Sequence, residues 1–304
     1  MCLSLISLPC MADDIPYLLT MSSKGDVTIV NGLLESGVNP NTVDSDGISA
    51  LMYAARKDQT EVASLLISKG ADLNGQDSDG WTPLMFAAKK NNLAVMKLLL
   101  AKGADPKIHE STGWTAFSMA AAEGNSGAVD LLISHGVDPN TKNKEGKTVL
   151  MYAIHSGDIA TIASLLKNAA DINTQDPIQV TALMYAAKKG DADVVAYLIK
   201  EGADLHRQDA SGWTALAWAI NQNALDAAEV LIKNGANVNH QDYQDTPLIE
   251  LAINKDAVAL VQLLITHQVD LKVRDKYGLT PYVYALKKGN PEIVKLIKSA
   301  GGKY

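Results

Sequence analysis

The sequence predicts an all-α solenoid built from stacked helix pairs, and three observations predict it. One short block recurs: GWTPLMFAAKK at 80–90 returns as GWTAFSMAAAE at 113–123 and as GWTALAWAINQ at 212–222. Its threonine or serine falls at Ser49, Thr82, Thr115, Thr148, Thr181, Thr214, Thr246 and Thr280, with spacings of 33, 33, 33, 33, 33, 32 and 34. Between blocks lies an apolar stretch of helical period closed by glycine, as in LAVMKLLLAKG at 93–103. A fixed period of this length marks a unit that buries its apolar side only against neighbouring copies.

Each unit reads helix, turn, helix, loop. Thr82 offers a side-chain oxygen to cap a first helix, and Pro83 suits the first helical position because it has no amide to leave unpaired. Leu84, Met85, Ala87 and Ala88 let that short helix pack closely. Asn91–Asn92 breaks it, and Leu93, Val95, Met96, Leu98 and Leu99 form the apolar stripe of a second helix. Gly103 stands where a left-handed C-cap is wanted. The polar segment ADPKIHESTG then suits a projecting hairpin. The short and long spacings around Thr246 cancel, which reads as a local adjustment in the seventh block, whose hairpin DYQDT has also lost its glycine.

Composition narrows the function classes. Apolar residues make up 47 % of the 304, enough for a large core, and the net charge of −7 gives no generic attraction to nucleic acid. No run is long enough for a membrane span. The only cysteines, Cys2 and Cys10, precede the repeats, so the repeated body has no disulfide, cysteine-based zinc site or cysteine nucleophile. Residues 1–12, MCLSLISLPCMA, read as the tail of a secretory leader cleaved after Ala12, or else as a frayed terminus. They lack a basic start, and their apolar run is short for a leader. Localisation is left open by the sequence: the chain as written reads as cytoplasmic, and as periplasmic or secreted if residues 1–12 are the end of a signal peptide.

The blocks 77-DSDGWTPLMFAA-88 and 70-GADLN-74, with 202-GADLH-206 and 235-GANVN-239, resemble the ankyrin repeat, whose motif is D-x-x-G-x-T-P-L-H-x-A-A followed by G-A-D-x-N. The resemblance recurs in eight units and covers about residues 13–301. It implies an ankyrin solenoid over 13–304: an N-terminal capping repeat at 13–43, seven repeats at 44–274 and a C-terminal capping repeat at 275–304. At one point the chain departs from the family. The motif histidine, which in the family ties cap and loops by hydrogen bonds, is replaced by Met52, Met85, Ser118, Met151, Met184, Ala217, Ile249 and Val283. Methionine fills apolar gaps, so packing is expected to replace that polar network. The adjoining column, Tyr53, Phe86, Met119, Tyr152, Tyr185, Trp218 and Tyr284, reads as a core seam.

The resemblance also implies a non-enzymatic module that binds a protein partner through hairpin tips and the concave face of the first helices. By register the tips hold Trp81, Trp114 and Trp213, with Lys147 in a matching place. A tryptophan there either packs across the adjacent hairpin or anchors a partner, as interface aromatics do. A second ladder, Arg56–Lys57, Lys89–Lys90, Lys188–Lys189 and Lys287–Lys288, is either helix-end chemistry or a basic strip for an acidic partner segment. A third, including Gln76, His109, Gln175 and Gln241, either bonds an extended peptide or solvates the tips. The candidate partner-binding residues are thus Trp81, Trp114, Trp213, Lys89, Lys90, Lys188, Lys189, His109 and Lys147. A monomer is expected, with no cofactor and no metal. No catalytic residue emerges, because the six histidines form no metal or triad spacing and no phosphate loop or nucleophile elbow occurs. The alternatives are a passive scaffold, or an enzyme or regulatory subunit whose site the sequence does not show.

Overall fold

The computed structural model describes residues 16–304. The leader reading of residues 1–12, with Cys2 and Cys10, lies outside the described residues. Among the described residues eighteen α-helices form nine consecutive pairs. They begin with α1 (Tyr17–Lys24) and α2 (Val27–Glu35), α3 (Ala50–Arg56) and α4 (Thr60–Ser68), α5 (Pro83–Lys89) and α6 (Leu93–Ala101). Next come α7 (Ala116–Ala122) and α8 (Ser126–Ser134), α9 (Val149–Ser156) and α10 (Ile159–Lys167), α11 (Ala182–Lys189) and α12 (Ala192–Lys200). The last three pairs are α13 (Ala215–Asn221) and α14 (Leu225–Lys233), α15 (Leu248–Asn254) and α16 (Val258–Thr266), α17 (Pro281–Lys288) and α18 (Pro291–Ser299).

The chain divides into two compact units. One takes residues up to Ala120 with Asp130–Val137, and the other Ala121–Val129 with Asp138–Tyr304. In the first, α1 stacks on α3 and α3 on α5, while α2, α4 and α6 make a separate layer. In the second, α9, α11, α13, α15 and α17 stack in turn, as do α12, α14, α16 and α18. Small residues allow the close approach of the first helices: Ala54, Ala55, Ala87, Ala186 and Ala187 are all 0 % exposed. Between the layers Leu66, Leu99, Leu198 and Leu231 are buried, removing apolar surface from water.

The caps follow the sequence reading. Ser49, Thr82, Thr148, Thr181 and Thr214 each accept a hydrogen bond from the amide three residues on, satisfying an otherwise orphaned donor. The methionines do more than fill space. Met52 Sδ accepts the Ser49 amide at 3.3 Å and Met184 Sδ the Thr181 amide at 3.4 Å, so the sulfur closes a capping box that a Glu or Gln usually closes. The polar link expected to vanish with the motif histidine is therefore kept in part, with sulfur as acceptor. In the second helix the expected stripe shifts slightly: Val95, Met96, Leu99 and Leu100 are buried, and Leu93 and Leu98 only half so. Gly103 closes it at φ 94°.

The structure corrects the register of the seventh block. Helix α15 has Pro247, not Thr246, at its N-cap, so the 33-residue step from Thr214 to Pro247 and on to Thr280 is unbroken. The threonine has moved one place forward, and no local adjustment exists. Asp245 takes the place of the lost glycine at φ 59°, as Gln179 does at φ 62° in the fifth block. The residue in the methionine column is consequently Glu250, not Ile249.

The candidate protein-binding surface

Hairpins and first helices are joined by one recurring bond. Each hairpin opens on an Asp, Glu or Asn whose first oxygen accepts two amides of its own turn, as Asp176 Oδ1 accepts those of Ile178 and Val180 at 3.0 and 2.9 Å. Nine residues later the first helix supplies the aromatic column. Tyr53 donates to Asp44, Tyr185 to Asp176 and Tyr284 to Asp275 at 2.9, 2.9 and 2.6 Å, and the Trp218 indole donates to Asp209 at 3.0 Å. At Asn143 the direction reverses: its side-chain amide donates to the Tyr152 hydroxyl. The column is therefore not a dry core seam: its rings are half-buried in a groove wall, with polar tips clamped to the hairpins. Burial and the Asp176 bond push the Tyr185 phenol well above the ordinary range, and the Asp275 bond and burial do the same for Tyr284.

The three tip tryptophans are half-buried. Trp81 packs on Phe86 of its own repeat, centroids 5.1 Å apart, and Trp213 on Trp218 at 5.4 Å. The Trp213 indole also donates to Asp242 of the next hairpin at 3.2 Å. The Trp114 amide donates to Glu110 at 2.7 Å. Structural packing thus describes Trp81 and Trp213, each of which still shows part of a ring to solvent. The exposed apolar tips are others: Ile178 at 59 %, Tyr243 at 67 % and Tyr277 at 71 %. Sequence reasoning passed them over, although Ile178 and Tyr277 stand one place and Tyr243 two places ahead of the left-handed hairpin residue in DPIQ, DKYG and DYQD.

The basic ladder separates into two roles. The first lysine of a pair lies over an aromatic ring: Lys89 over Trp81 at 5.0 Å, Lys188 over Trp218 at 4.8 Å and Lys287 over Tyr284 at 5.7 Å. The second can reach back to the preceding first helix. Lys189 donates to the Ile154 carbonyl at 3.4 Å and Lys288 to the Asn254 carbonyl at 2.9 Å, complementing a helix C-terminus. Lys90 and Arg56 are exposed. Lys147 lies between Glu145, at 3.1 Å, and the Tyr185 ring, at 5.9 Å.

The glutamine ladder does neither thing expected of it. Gln76 donates to the Gly80 carbonyl at 2.7 Å and, one repeat on, to that of His109 at 3.1 Å. Gln175 bridges Gln179 and Gln208 at 2.6 and 2.9 Å, and Gln241 bridges Asp245 and Arg274 at 2.9 and 3.3 Å. These side chains pin one hairpin to the next, and exposed His109 serves through its backbone. The loop asparagines add a second stitch: Asn74, Asn140, Asn173 and Asn239 each accept the amide of an aspartate 31 residues on. In both units the hairpins are thereby set at fixed spacing.

Among the described residues no cluster of three or more His, Cys, Asp or Glu is placed to hold a metal ion, and no helix is long and apolar enough to cross a membrane. Two shallow grooves border the first helices, one between hairpin and helix residues and one between α9 and α11. One, of about 360 Å³, lies in the first unit around Trp81 and Phe86. The other, of about 330 Å³, lies in the second unit around His155, Tyr185 and Lys188.

Comparison with known proteins agrees with this architecture. A family model described as "Ankyrin repeats (3 copies)" matches residues 18–110, 102–176 and 170–242, and one described as "Ankyrin repeats (many copies)" matches 231–285. The comparison with curated proteins gives no match. Among solved structures the chain is similar to the human ASB11 ankyrin repeat domain, with 24 % identity and a TM-score of 0.66, over 73 % of this chain and 98 % of that one. Stacked helix pairs, threonine caps, stitched hairpins and family matches over most of the length converge on one assignment: the chain belongs to the ankyrin repeat family.

Proposed function

We propose that the chain recognises a partner protein through its hairpin tips and the grooves that border the first helices. Ankyrin repeats are generally protein–protein interaction modules and typically non-enzymatic. The observation that carries the reading is the pre-fixed wall of aromatic and basic side chains. Lys188, Trp218 and Tyr185 in the second unit, and Lys89, Trp81 and Phe86 in the first, are held by ring contacts and hydrogen bonds before any partner arrives. A surface already ordered loses little side-chain entropy on binding. A passive scaffold is the second reading, favoured by the inward packing of Trp81 and Trp213.

Affinity isolation from the native source separates the two. Wild type is compared with a K90E/K188E double variant, both checked for an unchanged Tm. Selective recognition predicts one partner that the variant retains at least about tenfold less well, with salt-sensitive binding. Equal retention by both proteins would sink recognition through the grooves.

A further inference from the structure

In every hairpin except the one opened by Asn143, the opening carboxylate has two oxygens to satisfy, and the repeats show how the second one is used. Tyr53, Tyr185, Trp218 and Tyr284 donate to it from the first helix. Where that helix offers only Met119 or Leu251, another donor steps in. The second oxygen of Glu110 takes the Ser111 hydroxyl and the Thr112 amide, and that of Asp242 takes the Trp213 indole. Asp77 is the exception among the described residues. Its Oδ1 accepts the amides of Asp79 and Trp81 at 3.0 and 2.8 Å. The residue nine places on is Phe86, whose side chain has no donor, and Asp77 Oδ2 accepts no hydrogen bond among the described residues.

Asp77 lines the groove of the first unit, together with Ile48, Trp81, Phe86, a second carboxylate, Asp79, and the cations Arg56, Lys89 and Lys90. The lining thus joins two aromatic rings and an anionic acceptor to cations, of which Arg56 and Lys90 form no ion pair among the described residues and Lys89 lies over the Trp81 ring.

We propose that this groove is a subsite for a tyrosine side chain within an acidic, extended segment of the partner. The assignment rests on the protein-recognition reading above and names what one part of that surface takes. The phenol ring lies against Phe86 and Trp81, and its hydroxyl donates to Asp77 Oδ2, as Tyr53 and Tyr185 do within their own repeats. A flanking carboxylate meets Arg56 and Lys90. Phenylalanine in the same place covers the aspartate without pairing it, and an unpaired charged acceptor is costly. A lysine or arginine could bond Asp77 but meets the field of Arg56, Lys89 and Lys90.

The test uses the repertoire of the protein itself. The F86Y variant gives this repeat the Tyr–Asp pair of its neighbours, so it is expected to fold with an unchanged or raised Tm while filling the site from within. A displayed library of short random peptides is selected on the full wild-type chain and on F86Y. Wild type is expected to enrich tyrosine beside Asp or Glu, and F86Y is expected to lose that preference. A synthetic peptide of the enriched sequence should weaken about tenfold when its tyrosine becomes phenylalanine, and should weaken again on R56Q/K90Q and with added salt. Enriched sequences without tyrosine, no enrichment on wild type, or equal binding by F86Y would each overturn the subsite. None of those results touches the recognition reading, which stands or falls on the K90E/K188E comparison.

Discussion

Tyr185 shows how much one hydroxyl does in this protein. Its ring forms part of a groove wall, and its hydroxyl holds a hairpin nine residues back through buried Asp176. Removing the oxygen leaves that carboxylate with only its backbone donors. Y185F is therefore expected to lower stability by roughly 1–2 kcal/mol, read as a urea midpoint shift with an unchanged m-value. Glu250 is the opposite case. It sits 8 % exposed in a column otherwise filled by methionine and small residues. At the third position of α15 a glutamate would normally close a capping box, but the N-cap is Pro247, which has no amide to offer. Burial, then the charge of Asp275, raise its carboxyl above the ordinary range, with a smaller push from Asp242 and weak relief from Asn254 and Tyr284. A carboxyl raised in the fold favours folding when protonated. Its contribution is complete below the unfolded value and is lost as pH rises through the folded one. Acidification from neutrality should then raise the stability of the wild type relative to E250Q over that window. E250Q should be more stable at neutral pH by roughly 1 kcal/mol and should lose that part of the pH dependence. Melting curves across the window check both statements.

At the scale of the element, the hairpins matter more than their loop composition suggests. Gln76, Gln175 and Gln241 each span two hairpins, so the loss of one releases a staple between repeats as well as a local bond. Q175A is expected to cost roughly 1 kcal/mol and to speed hydrogen exchange at the amides of both hairpins it joins. A change confined to one hairpin would mean the bridge is not formed in solution. The two hairpins without glycine test the backbone instead. Gln179 and Asp245 stand at φ 62° and 59°, a region that L-residues enter at a cost and glycine enters freely. Q179G is expected to leave stability unchanged or raise it by up to roughly 1 kcal/mol, despite the usual entropic cost of a glycine. The exposed tips Ile178 and Tyr243 belong to these same hairpins of the second unit. The Tyr243 ring lies over Gly212, where an added Cβ would come within 2.9 Å of it. That glycine is therefore fixed by close approach as well as by its φ of 83°.

Across the molecule, stability in such stacks is close to a sum of repeat and neighbour terms, so the ends of each stack are its weak points. In the second unit α17 buries only Pro281 and Ala285, and α18 only Ile293 and Ile297, whereas α11 and α13 bury five residues each. The last pair is held by two further ties: the Thr280 hydroxyl donates to the Lys303 carbonyl at 2.7 Å, and Tyr304 meets Tyr282 edge-on at 5.2 Å. Amides of α17 and α18 are expected to exchange before those of α11 to α14. Deleting residues 301–304 should widen that gap, because Thr280 then loses its acceptor.

The 33-residue period, the helix pairs, the threonine caps and the glycine C-caps were legible because each depends on residues close in the chain. A cap needs only its helix, and a stripe needs only its own period. The same locality misled at Thr246, where the letter of the motif slid one place while the fold kept its step and put Pro247 at the cap. What the sequence could not decide were the pairings between elements. Whether Tyr53 faces a core or a hairpin carboxylate, whether Gln76 meets solvent or the next turn, and which of eight similar acceptors is left open at Asp77 all depend on distances across the fold. The repeat itself is fixed by covalent neighbours, while the recognition surface is fixed by groups that only stacking brings within hydrogen-bond reach.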